Sequence, residues 1–264
     1  MNLNEKNIFR YLQIVKPKRF PARETKYSKE CKCGHFIDSA YIRIAGEFVK
    51  LCEEARQANS ANAYKGLGIL VHAHNLVFGV IAAELERHAK QGAEVDESAK
   101  RRLFLTAAFI QGISLCEQTI AEGLYGQAGA LLRQEIECLA AIKENTKKKR
   151  KDGRTPNVVM SPWKMGKKYG ELSDIAHLSN HDILEALYVY SNEWGRGAGI
   201  VPQYVLETTK FFYGAHVAAL LAVASDIDQL YQDIYKTSFG DREYEAMWVA
   251  HDILCSEGVL VGSK

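Results

Sequence analysis

Apolar residues recur at three- and four-residue intervals along most of this chain and almost nowhere alternate. A helix gathers positions i, i+3, i+4 and i+7 on one face, whereas a half-buried strand needs a period of two, so the pattern restricts the fold to packed helices. It predicts helices over residues 38–57, 62–91, 97–122, 123–146, 162–176, 180–193, 202–235 and 241–256. Proline, which fixes φ and lacks an N–H, occurs only five times, and Pro156, Pro162 and Pro202 fall where a helix begins or a loop ends. Ser161 and Pro162 read as an N-cap and first-turn pair. Ser179 with Asp182 reads as the capping pair of the next helix, with His181 in its first turn. The expected fold class is all-α, a multi-helix bundle of long antiparallel helices. A basic, irregular N-terminal arm over residues 1–37 shows no sustained period, and the bundle occupies residues 38–264 with a basic loop near 145–161.

A chain of 264 residues with 47% hydrophobic and 25% charged residues can bury a sizeable core and has the balance of a soluble globular protein. Its first twenty residues intersperse charge among short apolar stretches and lack the continuous apolar region of a secretory signal, so the expected location is the cytoplasm. Cys52, Cys116, Cys138 and Cys255 stand singly in helical patterns, as reduced small hydrophobes do, rather than as a disulfide framework. The most apolar stretch, Gly66 to Ala83, approaches the length of a membrane span. It carries His72, His74 and Asn75 in its first half, which a lipid-facing helix could ill afford. A buried core helix and no membrane association are expected.

The segment "LLRQEIECL" at 131–139 places charge inside an apolar helix. At 100° per residue, Leu124, Ala128, Leu131, Leu132, Cys138, Leu139 and Ile142 form a wide apolar stripe with Glu135 in its middle. Nearly opposite lie Gly126, Gly129, Ala130, Ala140 and Ala141, small residues that admit a close helix, with Arg133 and Glu137 at i and i+4 among them. Buried charge is costly unless paired, so Glu135 needs a neighbouring backbone or histidine, and Arg133 and Glu137 form an intrahelical pair. A second constellation, "YGELSDIAH" at 169–177, steps Tyr169, Ser173 and His177 by four along one face. His177 sits at the carboxyl end, where free carbonyls favour an imidazolium. An inward histidine needs a partner, and the surroundings of Arg133, Glu135 and Glu137 offer one.

These two segments together resemble an uncharacterised family of prokaryotic helical-bundle proteins marked by an R-x-x-x-E helix and a later S-x-x-x-H segment. That family is similar to the HEPN superfamily, many of whose members act on RNA or belong to toxin–antitoxin and phage-defence systems. The resemblance spans residues 98 to 235 and rests on Arg133, Glu137, Ser173 and His177. It implies an HEPN-like bundle that is RNA-associated and, if an enzyme, a metal-independent ribonuclease using Arg133, Glu137 and His177, with Ser173 on the matching ridge. Glu135, outside the matching positions, is a further catalytic candidate from its place in the apolar stripe. The departure is that HEPN ribonucleases hold arginine and histidine in one R-x4–6-H motif, and no arginine here precedes a histidine at that spacing. Arg133 and His177 would supply the same residue types from two helices. The alternative is a non-catalytic protein–protein interaction or regulatory module whose polar cluster is structural. A cluster open to solvent beside the basic loop favours the first reading and a sealed one the second.

Charge is concentrated between Lys143 and Lys168, where ten basic residues face Glu144 and Asp152, a net of +8 in a chain of +2, leaving −6 elsewhere. Lys147, Lys148, Lys149, Arg150 and Lys151 are the candidate nucleic-acid contacts, acting through phosphate neutralisation, and a solvated loop tip is the other reading. Small-residue faces and exposed apolar helices suggest a homodimer. Cys31, Cys33 and His35 alternate in "ECKCGHF" and could hold zinc with a fourth group such as Cys52 or His72, but no second ligand pair follows, so neither metal nor cofactor is expected. His72 and His74, two apart, face different directions. His216 reads as a satisfied core histidine. Ser173 beside His177 does not make a serine hydrolase, because a helix interior offers no free N–H groups for an oxyanion hole. No dinucleotide, P-loop, nucleophile-elbow or H-E-x-x-H motif occurs.

Overall fold

The computed structural model describes residues 39–192 and 195–260. The N-terminal arm, with Cys31, Cys33 and His35, lies outside the described residues. Eight α-helices carry the fold among the described residues: α1 (Ser39–Leu67), α2 (Ile69–His88), α3 (Glu97–Ala121), α4 (Tyr125–Thr146), α5 (Tyr169–His177), α6 (His181–Tyr188), α7 (Leu206–Tyr235) and α8 (Asp241–Ser256). Two 3₁₀ turns, Val158–Met160 and Pro162–Lys167, join α4 to α5, and a hairpin of β1 (Val189–Asn192) and β2 (Gly195–Ala198) follows α6. The chain is therefore an all-α multi-helix bundle with one small two-stranded ornament.

Helix α7 is the axis. Every residue from His216 to Ala224 is buried, and a helix apolar on all sides is stable only when other helices surround it. Helices α1, α2, α3, α4 and α8 all pack on it. Its entry is held by Tyr125, whose Oη accepts from the Val205 N–H at 2.8 Å and lies 2.8 Å from Thr209 Oγ1. The Tyr125, Phe212 and Tyr213 rings are fully buried and contribute about 1.5–3 kcal/mol each through area removed from water. Two ionic ties reach α7 from its neighbours: Lys143 of α4 donates to the buried Asp226, and the buried Arg102 of α3 donates to Asp233 Oδ2 at 2.6 Å. Burial pushes the Asp226 carboxyl up, and the Lys143 ammonium opposes that shift.

Helices α3 and α4 form an antiparallel hairpin through a turn at Glu122–Leu124. Gly123 is at φ +77°, and a Cβ there would stand 2.4 Å from the Gln203 carbonyl oxygen. The start of α3 is capped by Asp96, which accepts from the Ala99 N–H at 2.7 Å.

Five local expectations change. The break predicted between residues 57 and 62 lies at Gly68, at φ +53°, which ends α1 and starts α2. The polar run from Arg56 to Ala63 stays helical because Ala55, Asn59 and Ala63, four apart, face the core, and Asn59 Nδ2 donates to the Glu122 carbonyl at 3.0 Å. The helix predicted at 162–176 is instead a 3₁₀ turn, with Trp163 at φ 48° and Lys164 at φ 59°, followed by α5. Ser161 does not cap it and donates to the Val158 carbonyl at 2.6 Å. The helix predicted to residue 193 ends at Tyr188 and passes into the hairpin, whose β2 is exposed throughout and so carries no apolar alternation to read. The cap of α6 is Asn180, one residue later than Ser179, accepting from the Asp182 and Ile183 N–H groups.

By length and composition alone α2, α3 and α7 are apolar enough to cross a membrane, although 78% of the α7 window is buried inside the bundle. The four described cysteines, Cys52, Cys116, Cys138 and Cys255, are free thiols.

Candidate functional site

The small-residue face of α4 receives α5 and the end of α6. A Cβ on Gly129 would stand 2.6 Å from Ile175 Cγ2, and one on Gly126 would stand 2.2 Å from Tyr188 Oη. Glycine at 129 is what lets α5 come close enough for its polar ridge to reach Arg133, and glycine at 126 admits the end of α6. The face expected to invite a second copy of the chain is thus occupied from within.

The result is a four-residue cluster. Arg133 Nε donates to Glu137 Oε1 and to Tyr169 Oη, each at 3.1 Å, and Tyr169 Oη donates to the same Glu137 oxygen at 2.5 Å. The guanidinium also lies over the tyrosine ring, 5.2 Å from its centroid. Arg133 Nη1 lies 2.5 Å from His177 Nε2. A guanidinium can only donate, so Nε2 is the acceptor and the His177 ring, in this arrangement, is neutral with its proton on Nδ1. The tyrosine hydrogen bond holds Arg133 above its ordinary pKa, and burial followed by the Glu137 hydrogen bond raises that of Tyr169. Both therefore keep their protons at neutral pH. The cluster opens to solvent, since the Arg133 and Glu137 side chains are 23% and 26% exposed and His177 is exposed. Ser173, half-buried between Tyr169 and His177 on the same ridge, makes no side-chain hydrogen bond to a described residue.

Glu135 does not join this cluster. Two residues from both Arg133 and Glu137, it points about 200° away around the helix and is buried, with its carboxylate 2.8 and 3.1 Å from His216 Nδ1. The sequence places it with the catalytic residues, whereas the structure pairs it with the core histidine on α7. Cys116 of α3 completes this sealed group. One donor atom each from Cys116, Glu135 and His216 lie within 4.8 Å of one another. Burial, then the Glu135 charge, pushes the Cys116 thiol far up, and burial raises Cys138 to about 12. The His74 ring stacks on His216 with centroids 5.5 Å apart, and its Nε2 lies 3.9 Å from Glu117 Oε2, a carboxylate that also accepts from Tyr213 at 3.1 Å. Burial holds His74 below its ordinary value, so the ring is neutral. Sequence reading leaves His216, Cys116 and His74 unassigned as a group. The signal for one link was present: a lone carboxylate on one apolar stripe and a lone histidine within another each required a partner.

Of the basic run, Lys147, Lys148, Lys149 and Lys151 are exposed. Arg150 is not free, because its Nη1 donates to the Arg154 carbonyl at 2.7 Å and to Glu144 Oε2 at 3.3 Å. Fourteen residues of helix separate Arg133 from Lys147, about 21 Å along α4, so the loop is not adjacent to the open cluster. The lysines nearer to it are later ones. Lys168 precedes Tyr169 and stands 4.9 Å over the Phe211 ring, and it lines a cleft of about 960 Å³ together with Lys164, Lys167, Lys210 and Trp163.

The fold and site define a helical bundle with one open Arg–His cluster and one sealed Cys–Glu–His cluster. No family model matches the chain, and comparisons with curated proteins and with solved structures find no match either.

Proposed function

We propose that this chain is an HEPN-like, RNA-associated bundle protein of the defence or toxin–antitoxin type, acting as a metal-independent ribonuclease at Arg133 and His177. The observation that carries this reading is the 2.5 Å approach of Arg133 Nη1 to His177 Nε2 at a solvent-open surface. In the free protein Arg133 occupies the lone pair of His177. A phosphodiester that draws the guanidinium to its own oxygens frees that lone pair to accept the proton of the 2′-hydroxyl. The 2′-oxygen then bonds to phosphorus, the bond to the 5′-oxygen breaks, and that oxygen takes a proton from solvent at this open site. The products are a 2′,3′-cyclic phosphate and a 5′-hydroxyl. Glu137 and Tyr169 hold the guanidinium in orientation, and the exposed lysines of the basic loop draw the strand to the protein.

A second reading, a non-catalytic interaction module, is favoured by the large apolar side chains exposed on α1, α3 and α8, among them Tyr41, Ile42, Phe104, Leu115 and Trp248. The two are separated by incubating wild type and His177→Ala with a pool of structured and single-stranded RNA in excess chelator, with thermal melts of both proteins. Cleavage to cyclic-phosphate ends by wild type, lost in a variant that melts normally, is the expected result. An inactive wild type would leave the interaction module as the reading and turn the search to protein partners.

A further inference from the structure

We infer that Cys116, Glu135 and His216 form a buried binding site for one divalent transition metal of the zinc class, which pins α3, α4 and α7 to one another. The three side chains come from three helices remote in sequence and are 1%, 6% and 0% exposed. Their donor atoms, a thiol sulfur, a carboxylate oxygen and an imidazole nitrogen, lie within 4.8 Å of one another. A tetrahedral zinc centre, with bonds of about 2.0–2.3 Å, needs donors about 3.3–3.8 Å apart. Small side-chain rotations reach that spacing. Sulfur, nitrogen and oxygen together are the donor set that zinc accepts and that calcium and magnesium, which take oxygen ligands, do not.

Two further features point to a ligand there. Cys116 and Glu135, though not His216, line a cavity of about 140 Å³ whose other, mainly apolar walls include Gln134 and Cys138, so a fourth ligand has room to approach. Beside the group, His74 is 3% exposed, and neither of its ring nitrogens makes a hydrogen bond of normal geometry. Its ring stacks on that of His216, so a second imidazole stands beside the site. A core needing only apolar packing would place neither imidazole here, because burying an imidazole with an unpaired nitrogen is unfavourable. This site is independent of the open Arg133–His177 cluster and supplies structure, not the cleavage chemistry.

The test is cobalt(II) titration of the full-length Cys31→Ser/Cys33→Ser chain, which removes the competing thiols of the N-terminal segment, after removal of bound metal by chelation. One cobalt per chain, with a sulfur-to-cobalt charge-transfer band and the visible spectrum of a four-coordinate ion, is expected. That reading needs no substitution in the core. Adding Cys116→Ser should abolish the charge-transfer band, and His216→Gln should weaken binding by at least about 10–100-fold. Zinc should raise the melting temperature of the first protein but not of the Cys116→Ser variant. Failure of the Cys31→Ser/Cys33→Ser chain to take up cobalt, or a thiolate band that persists with Cys116→Ser, would overturn the assignment.

Discussion

Glu135 and Glu137 stand two residues apart on one helix and meet opposite surroundings. The first is buried against His216, and the second is partly exposed and holds Arg133 and Tyr169. Helical geometry decides this: two residues turn a side chain by about 200°, so neighbours of the same type face different partners. At Glu137 a single carboxylate oxygen accepts from both Arg133 and Tyr169, which makes the tyrosine hydroxyl the removable member of the cluster. Tyr169→Phe keeps the ring under the guanidinium and removes only that hydroxyl. It should cost about 0.5–1.5 kcal/mol in urea denaturation, and an unchanged midpoint would mean that the hydroxyl is not engaged in solution. His177 is exposed at the end of α5, so His177→Ala should stay within about 0.5 kcal/mol of wild type. Any loss of cleavage in that variant is then a loss of chemistry rather than of fold.

At the scale of elements, the docking of α5 on α4 assembles the open cluster, and Gly129 sets the distance. Gly129→Val drives branched carbons into Ile175 and should destabilise the fold by about 1–3 kcal/mol. Ile175→Ala should be destabilising alone and yet partly rescue Gly129→Val, with a coupling of about 0.5–3 kcal/mol in a double-mutant cycle. Strict additivity would show that the two helices do not meet there. A second junction, α2 to α8, is tied by Arg87 Nη2 donating to Glu243 Oε1 at 2.8 Å. Hydrogen bonds from its own backbone N–H, the Arg87 side chain and the Gly240 N–H hold the Glu243 carboxyl below its ordinary 4.5. A depressed carboxyl stabilises the fold fully above its unfolded value and loses that stabilisation as pH falls through the lower folded one. Glu243→Gln should therefore cost about 0.5–1 kcal/mol at pH 7, and the difference from wild type should vanish as the medium is acidified below pH 4.5. A deficit that persists to the lowest pH would assign the effect to packing.

For the whole molecule, about 21 Å of helix separates Lys147 from Arg133, so on the proposed function the basic run would act at a distance. Its lysines should strengthen RNA binding without governing turnover of bound RNA. Replacing Lys147, Lys148, Lys149 and Lys151 by serine should reduce the slope of log affinity against log salt by about 0.7 for each lost phosphate contact on single-stranded RNA, while single-turnover cleavage at saturation stays the same. A slope that does not move would remove the loop from the interface. The sequence by itself determined the helical class, the stripe and counter-stripe of α4, the Arg133–Glu137 pair and the four-residue step from Tyr169 to His177. Each of these is a matter of local period, and a single helix fixes it. Tertiary structure alone decided that Asn59 stays in α1 and Gly68 ends it, that Tyr188 leads into an exposed hairpin, that Arg133 meets His177, and that Glu135 meets His216 and Cys116. Those outcomes depend on which helices touch and at what rotation, and periodicity is silent on both. A lone buried carboxylate announces that it has a partner, and only the packing of the bundle says which residue that is.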